Sequence, residues 1–157
     1  MDYSNLFHKN LISLNVDYSS QAEMFEKVSF DLEQEGFVEH SFKEALIERE
    51  KEFPTGLSTN EFNVAIPHTD VKHVKYPFIY VTTSIAPLDF VQMGSDSSLI
   101  KVNTIFILGI KDPQGQVGLL SEIMEKIQNV DFIKTFKKCS SNASMEQILK
   151  NTFRSEY

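Results

Sequence analysis

The chain has 157 residues, 41% of them hydrophobic, and a net charge of −7. This length suits one ordinary domain, and this apolar fraction is enough to bury a sizeable core. An acidic chain without a long Lys/Arg block is a poor nucleic-acid binder, because binding to the phosphate backbone depends on clustered cations. The single cysteine excludes internal disulfides and cysteine-rich zinc sites. No apolar run is long enough to cross a membrane, and no signal peptide is visible. We therefore expect a cytoplasmic chain that forms a single domain over residues 1–157.

The first half of the chain predicts two helices followed by a strand. A capping-box pattern begins the first helix at Ser20, and Gly36 offers its end. A second capping box begins the next helix at Ser41. Residues 62–66 alternate between apolar and other side chains with a period of two, which predicts a strand that ends at Pro67.

The second half predicts two strands followed by two helices. Residues 77–83 are rich in β-branched and aromatic side chains, and residues 102–110 are almost continuously apolar, as in a strand covered on both faces. A third helix is expected from Asp112, with Pro at its first position, and a fourth from Ser144. The apolar stripe of the third helix consists of Val117, Leu120, Ile123 and Ile127.

Helices interleaved with strands predict an α/β fold. The spacing of the elements is irregular and shows no clean βαβ alternation. We therefore expect a single-domain sandwich in which a mixed β-sheet is flanked by helices on both faces.

His68 is the first candidate for chemistry, since phosphate-binding glycine loops, metalloprotease motifs and hydrolase elbows are absent. Pro67 takes the chain out of the sheet, so His68 emerges at the carboxyl end of a strand, where ligands gather in open α/β sheets. A neutral imidazole is a competent nucleophile near pH 7. The alternative is an ordinary loop histidine. A metal pair with His73 lacks a third ligand at a useful spacing, so we expect no metal. His8 and His40 are expected to face solvent.

A charged segment precedes the His68 strand and reads Glu-Arg-Glu-Lys-Glu-Phe-Pro-Thr-Gly at residues 48–56. Its simplest interpretation is a solvated helix end with weak charge pairs. That interpretation does not explain why Phe, Pro, Thr and Gly follow at once, as in a shaped turn.

Together with Val-Ala-Ile-Pro-His at residues 64–68, this segment resembles the active-site signature of enzyme IIA domains of the fructose–mannitol superfamily. These domains belong to the bacterial sugar phosphotransferase system. The Glu-Phe-Pro-Thr-Gly motif and the turn at residues 112–116 are most similar to the galactitol-type branch. The resemblance covers essentially the whole chain, and the two motifs are specific in combination.

The resemblance implies that His68 accepts a phosphoryl group from the histidine-containing phosphocarrier protein HPr and passes it to a cysteine of a sugar-specific IIB component. It implies that Arg49 stabilises the phosphoryl group, because a guanidinium fork engages two oxygens at once. Thr55 is expected to donate a hydrogen bond to the phosphoryl group. An apolar rim around His68 is expected from Phe53, Phe62 and Met93.

One position departs from the fructose and mannitol pattern. Where many of those relatives carry a second histidine, this chain has Gln116, which is also common in the galactitol branch. An amide donates hydrogen bonds but has no titrating charge. Gln116 is therefore expected near the site without an acid–base role, and His73 is either a positioning residue or a surface histidine.

The leading interpretation is a phosphotransferase component that drives uptake and phosphorylation of galactitol or a related polyol, with no cofactor. Its partners would be HPr, IIB and, through IIB, the membrane permease IIC, and the chain itself would be a monomer. A second interpretation is a regulatory, nitrogen-type enzyme IIA whose phosphorylation state controls protein partners. A third is a binding domain that is never phosphorylated.

Overall fold

The computed structural model describes residues 2–59, 62–114 and 116–155, and it has five strands and five α-helices within them. The strands are β1 (Phe7–Val16), β2 (Gly56–Leu57), β3 (Val64–Ala65), β4 (Phe78–Val91) and β5 (Leu99–Gly109). The helices are α1 (Gln21–Gln34), α2 (Phe42–Glu52), α3 (Leu119–Lys126), α4 (Val130–Lys138) and α5 (Asn142–Phe153). None of these helices is both long and apolar enough to span a membrane.

The sheet is mixed, as predicted, with the strand order β1-β4-β5-β3-β2. β1 pairs with β4 and β3 pairs with β5 in parallel, whereas β4–β5 and β2–β3 are antiparallel. β5 lies at the centre, and its side chains alternate between two cores. Ile105 and Ile107 pack with α1 and α2, while Phe106 and Leu108 pack with α3, α4 and α5. The predicted sandwich with helices on both faces is confirmed.

β1 was not predicted, because its apolar residues do not alternate. Leu11 and Ile12 are adjacent in sequence and both buried, one in each core. The register with β4 shifts on both sides of this pair, and Asn15 has a positive φ of 55°. An irregular strand buried on both faces lacks the period-two signal.

His8 lies in β1 and is half-buried, so the prediction that it faces solvent is wrong. Burial lowers the pKa of His8.

The predicted helix starts need three corrections. The Ser20 hydroxyl caps α1 by accepting the Glu23 N–H, as expected, but the Ser41 hydroxyl bonds His73 instead of capping α2. α3 begins at Leu119 rather than at Asp112, because Gly118 takes a left-handed φ of 96°. α5 begins after Ser141, whose hydroxyl accepts the N–H of the predicted cap residue Ser144.

The structure also contains α4, which was not predicted. The Asn129 side chain caps it by accepting the Phe132 N–H at 2.9 Å. Its buried residues Phe132, Ile133 and Phe136 recur at helical spacing, so the signal was present in a short segment. Together with α3 and α5, it covers one face of the sheet.

Candidate functional site

His68 lies where two parallel strands end, which places it at the predicted edge of the sheet. The pairing of β3 with β5 continues beyond β3, because the Leu108 N–H donates to the Pro67 carbonyl at 2.9 Å. His68 itself forms a bridge with Leu108 and is half-buried. The chain therefore presents an imidazole at the carboxyl edge of the sheet, beside the loop that follows β5.

The ring of His68 is oriented by the main chain. Its Nδ1 lies 2.9 Å from the Ile66 carbonyl oxygen. Since a carbonyl oxygen only accepts hydrogen bonds, the proton of a neutral ring must sit on Nδ1. The lone pair then belongs to Nε2, which is the nitrogen left for a nucleophilic attack.

Arg49 lies in the last turn of α2 and reaches toward the loop that carries His68. Its guanidinium lies 3.8 Å from a carboxylate oxygen of Asp70, two residues after His68, and 4.5 Å from the centre of the Phe53 ring. The Arg49 side chain is 38% exposed and that of Asp70 is 67% exposed. A pair this long and exposed contributes at most about 1 kcal/mol, so the guanidinium is easily redirected to an incoming anion.

Thr55 is buried, and its hydroxyl is fully engaged within the protein. The hydroxyl donates to Glu50 Oε1 at 2.8 Å and accepts from the Ile66 N–H at 3.2 Å. A hydroxyl has a single proton, so in this arrangement none remains for the expected hydrogen bond to a phosphoryl group. The structure instead links Thr55 to Ile66, the residue whose carbonyl holds His68.

Glu50 is the functional candidate that the sequence interpretation missed. In the sequence interpretation it belongs to a solvated charge run, but it is only 6% exposed, and its two carboxylate oxygens accept from the Thr55 N–H and hydroxyl. Burial raises its pKa to about 7, although both hydrogen bonds from Thr55 act in the opposite direction. The signal was available: Phe42, Leu46 and Glu50 recur every four residues, which puts Glu50 on the core face of α2.

Gln116 lies in the turn between β5 and α3. Its main-chain N–H donates to the Asp112 carbonyl at 3.1 Å. Its buried Oε1 has no hydrogen-bond partner among the residues that the structure describes. A buried amide oxygen left unpaired costs stability. This cost makes Gln116 a candidate for a functional role.

Two other residues that were expected near His68, Phe62 and His73, have partners elsewhere. Phe62 precedes β3, at the opposite end of that strand from His68, and its ring packs on Phe136 in the core at 5.4 Å. The expected rim therefore lacks Phe62, whereas Phe53 is exposed beside Arg49. The Nδ1 of His73 is bonded to the Ser41 hydroxyl at 2.7 Å, which ties the loop after His68 to the start of α2.

Comparison with known proteins identifies the family. Residues 5–152 match the family model described as the phosphoenolpyruvate-dependent sugar phosphotransferase system, EIIA 2. The chain is also similar to the PTS system galactitol-specific EIIA component of Escherichia coli K12. The two are 30% identical over 132 residues, which cover 84% of this chain and 85% of that protein.

Solved structures show the same fold at lower sequence identity. The nitrogen regulatory protein IIA-Ntr from Neisseria meningitidis has a TM-score of 0.71 and 24% identity, covering 93% of this chain and 97% of that one. The enzyme IIA of a mannitol IIA–phosphorylated IIB complex from Escherichia coli has a TM-score of 0.72 and 17% identity, covering 93% and 99%.

The raised pKa of Glu50 predicts how stability depends on pH. Between pH 4.5 and about 7 the folded protein holds a proton on Glu50 that the unfolded chain has lost. The contribution of Glu50 to the free energy of unfolding should therefore fall as the pH rises through this interval, and then level off.

Urea unfolding of the wild type and Glu50→Gln at a series of pH values isolates this contribution as their difference. Glu48→Gln, whose parent side chain is 76% exposed, is the matched control and should show no such trend. A wild-type minus Glu50→Gln difference that rises with pH would contradict the assignment.

Proposed function

Since the chain belongs to the EIIA 2 family of the phosphoenolpyruvate-dependent sugar phosphotransferase system, we propose that it is a cytoplasmic phosphocarrier with His68 as its phosphoryl acceptor. The proposal includes HPr as donor, a IIB cysteine as acceptor, and galactitol or a related polyol as the transported compound. We assign all 157 residues to this one domain. The observation that carries the proposal is the His68 ring at the sheet edge, with Nδ1 on the Ile66 carbonyl and the lone pair on Nε2.

The proposed transfer needs little covalent chemistry from the protein. Nε2 attacks the phosphorus of the donor phosphohistidine, so a P–N bond forms on His68 while the donor P–N bond breaks. The proton stays on Nδ1, held by the Ile66 carbonyl, and the phosphorylated ring is then cationic. In the second step the IIB thiolate attacks the same phosphorus. The His68 ring then leaves as a neutral imidazole, with its proton still on Nδ1.

Arg49 supplies the charge that this transfer needs. In the transition state, the transferred phosphoryl group spreads negative charge over its oxygens, and a guanidinium can bond two of them at once. In this structure Arg49 is held by a weak, exposed pair with Asp70 and by the face of Phe53. Arg49 can therefore turn to the phosphoryl group without losing a strong interaction.

The interfaces with donor and acceptor are transient in this proposal, since the same nitrogen must serve both in turn. The solved mannitol complex, which contains phosphorylated IIB, supports a IIB partner for this chain.

The proposed monomer agrees with the protected edge of β1. There Glu146 of α5 accepts the Lys9 N–H at 2.8 Å, and Asn142 donates to the Ile12 carbonyl at 2.8 Å. Groups bonded in this way are not free to pair with another strand.

The regulatory alternative shares the proposed phosphorylation but not the IIB acceptor. The galactitol-specific relative favours the transport role, because it is 30% identical over most of the chain. Neighbouring genes for IIB and IIC components would support transport, and their absence would favour regulation.

Phosphorylation of His68 is tested directly by intact-protein mass. After incubation with phosphoenolpyruvate, enzyme I and HPr, we expect one acid-labile phosphoryl group on the wild type and none on His68→Ala. His40→Ala is the matched control, because that side chain is 97% exposed and bonded only to Glu33 among the described residues. An unmodified wild type in the presence of active upstream proteins would overturn the carrier role and favour a binding domain.

Arg49→Lys tests the guanidinium fork while keeping the positive charge. A hydrogen bond to a charged group is worth about 1.5–3 kcal/mol, so the rate of phosphoryl transfer should fall roughly ten- to hundredfold. Stopped reactions with phosphorylated HPr measure this rate. The control is Arg154→Lys, at the end of α5. A rate unchanged in Arg49→Lys would show that a point charge suffices.

Gln116→Met separates function from stability at the position of the second histidine. We propose that the Gln116 amide donates a hydrogen bond to the phosphoryl group. Removing an unpaired buried oxygen should leave the free energy of unfolding unchanged or raise it, while transfer slows. The exposed Gln114 of the same turn gives the control Gln114→Met. Equal transfer rates in the two variants would remove Gln116 from the site.

A further inference from the structure

A series of hydrogen bonds, joined through the main chain of Ile66, links the carboxylate of Glu50 to the imidazole of His68. Glu50 accepts from the Thr55 hydroxyl at 2.8 Å, and Thr55 accepts from the Ile66 N–H at 3.2 Å. The carbonyl of the same Ile66 accepts from Nδ1 of His68 at 2.9 Å. Glu50, Thr55 and Ile66 are all buried, so water does not compete for these groups.

We propose that Glu50 is a positioning residue for His68: its carboxylate orients Thr55, Thr55 holds the N–H of Ile66, and the carbonyl of Ile66 fixes the Nδ1 proton. This inference rests on the proposed phosphocarrier function. It names a residue that acts on the reacting nitrogen through other residues, without contacting it.

The direction of each hydrogen bond depends on the carboxylate. Above its pKa of about 7, the Glu50 carboxylate is ionised and only accepts, so the single hydroxyl proton of Thr55 then points at Glu50. The hydroxyl oxygen is then free to accept from Ile66. Without the carboxylate the hydroxyl could rotate, and the Ile66 N–H would lose its defined partner. Because Ile66 is bonded through both its N–H and its carbonyl, the peptide planes on either side of it are held in place.

The charge of Glu50 also suits the proposed reaction. Once Nε2 carries a phosphoryl group and Nδ1 keeps its proton, the ring is cationic. Once ionised, the buried Glu50 carboxylate favours that cation through its negative charge, without the direct contact that the aspartate of a catalytic triad makes with its imidazolium. The low dielectric of the interior makes such an interaction stronger than it would be in water.

Apolar packing alone does not explain the position of Glu50 on α2, where its carboxylate pairs both the N–H and the hydroxyl of buried Thr55. Phe42 and Leu46 occupy the same face of the helix, and an apolar residue at position 50 would continue that face. Burying a carboxylate costs free energy, which here shows as a pKa raised to about 7. A role in the site accounts for a buried carboxylate that the apolar packing of this face does not require.

The tautomer of His68 is a readout that a merely structural role of Glu50 would not move. Imidazole 15N chemical shifts, recorded at a pH where the ring is neutral, distinguish Nδ1–H from Nε2–H. The His68 signals are assigned by their loss in His68→Ala. We expect Nδ1–H to dominate in the wild type and to lose population to Nε2–H in Glu50→Gln. The rate of phosphoryl transfer from phosphorylated HPr should fall roughly ten- to hundredfold, as when supporting partners of a site are removed.

A second pair of variants tests the same series of hydrogen bonds without changing Glu50. Thr55→Val keeps the shape and removes the hydroxyl, so it should behave like Glu50→Gln. Thr55→Ser keeps the hydroxyl and should retain the wild-type tautomer and most of the rate. Glu48→Gln, with an exposed side chain on the same helix, is the control for the loss of a negative charge. Circular dichroism and thermal unfolding identify the variants that are folded, and only those are compared.

The outcomes separate this inference from the proposed function. An unchanged tautomer and rate in folded Glu50→Gln and Thr55→Val would overturn the positioning role while leaving His68 as the acceptor. Equal losses in Thr55→Ser and Thr55→Val would also overturn it, since the hydroxyl would then be irrelevant. A wild type that is never phosphorylated would overturn the carrier function. The tautomer comparison would still decide whether Glu50 orients His68.

Discussion

The pairing of the short strand β3 with the central strand β5 determines the position of His68, the proposed phosphoryl acceptor. Only Val64 and Ala65 belong to β3, but the pairing continues through the Pro67 carbonyl to His68. From Thr104 to Gly109, β5 is buried on both faces, where close packing restricts its displacement. A histidine bonded alongside such a strand inherits its fixed position, although it lies in a segment without regular structure of its own.

The interior beside this pairing shows a compromise between stability and positioning. The face of α2 that packs on the sheet is apolar at Phe42 and Leu46 and acidic at Glu50. Both oxygens of that carboxylate are hydrogen-bonded, which limits the cost of burying it but does not remove it. Its partner Thr55 connects α2 to β3 through Ile66, so the helix and the His68 loop are joined by polar bonds as well as by packing. Polar networks of this kind give a defined geometry where apolar contacts alone would tolerate small shifts.

The groups around His68 differ in how tightly the fold holds them. The Nδ1 side of the ring is tied to the buried main chain, whereas Arg49 is held by a long, exposed pair with Asp70. This difference suits the proposed carrier function, in which the acceptor nitrogen stays fixed while Arg49 turns from Asp70 to the phosphoryl group. The loop after His68 is itself anchored away from the ring, through His73 to Ser41 and through the Lys111 ammonium to the Val74 carbonyl.

The sequence alone determined the α/β class, the mixed sheet, the family and the candidate nucleophile, because each depends on local pattern or on a contiguous motif. The continuous apolar run of β5 and the proline before His68 are signals of that kind. β1 could not be predicted, since its adjacent buried residues Leu11 and Ile12 serve two different cores and break the alternation. Only the tertiary structure decided the environment of Glu50 and the partner of Thr55. A charge run looks the same in sequence whether its members face water or the core. The Thr55 hydroxyl meets the Ile66 N–H, 11 residues further along the chain, only when the end of α2 packs beside β3.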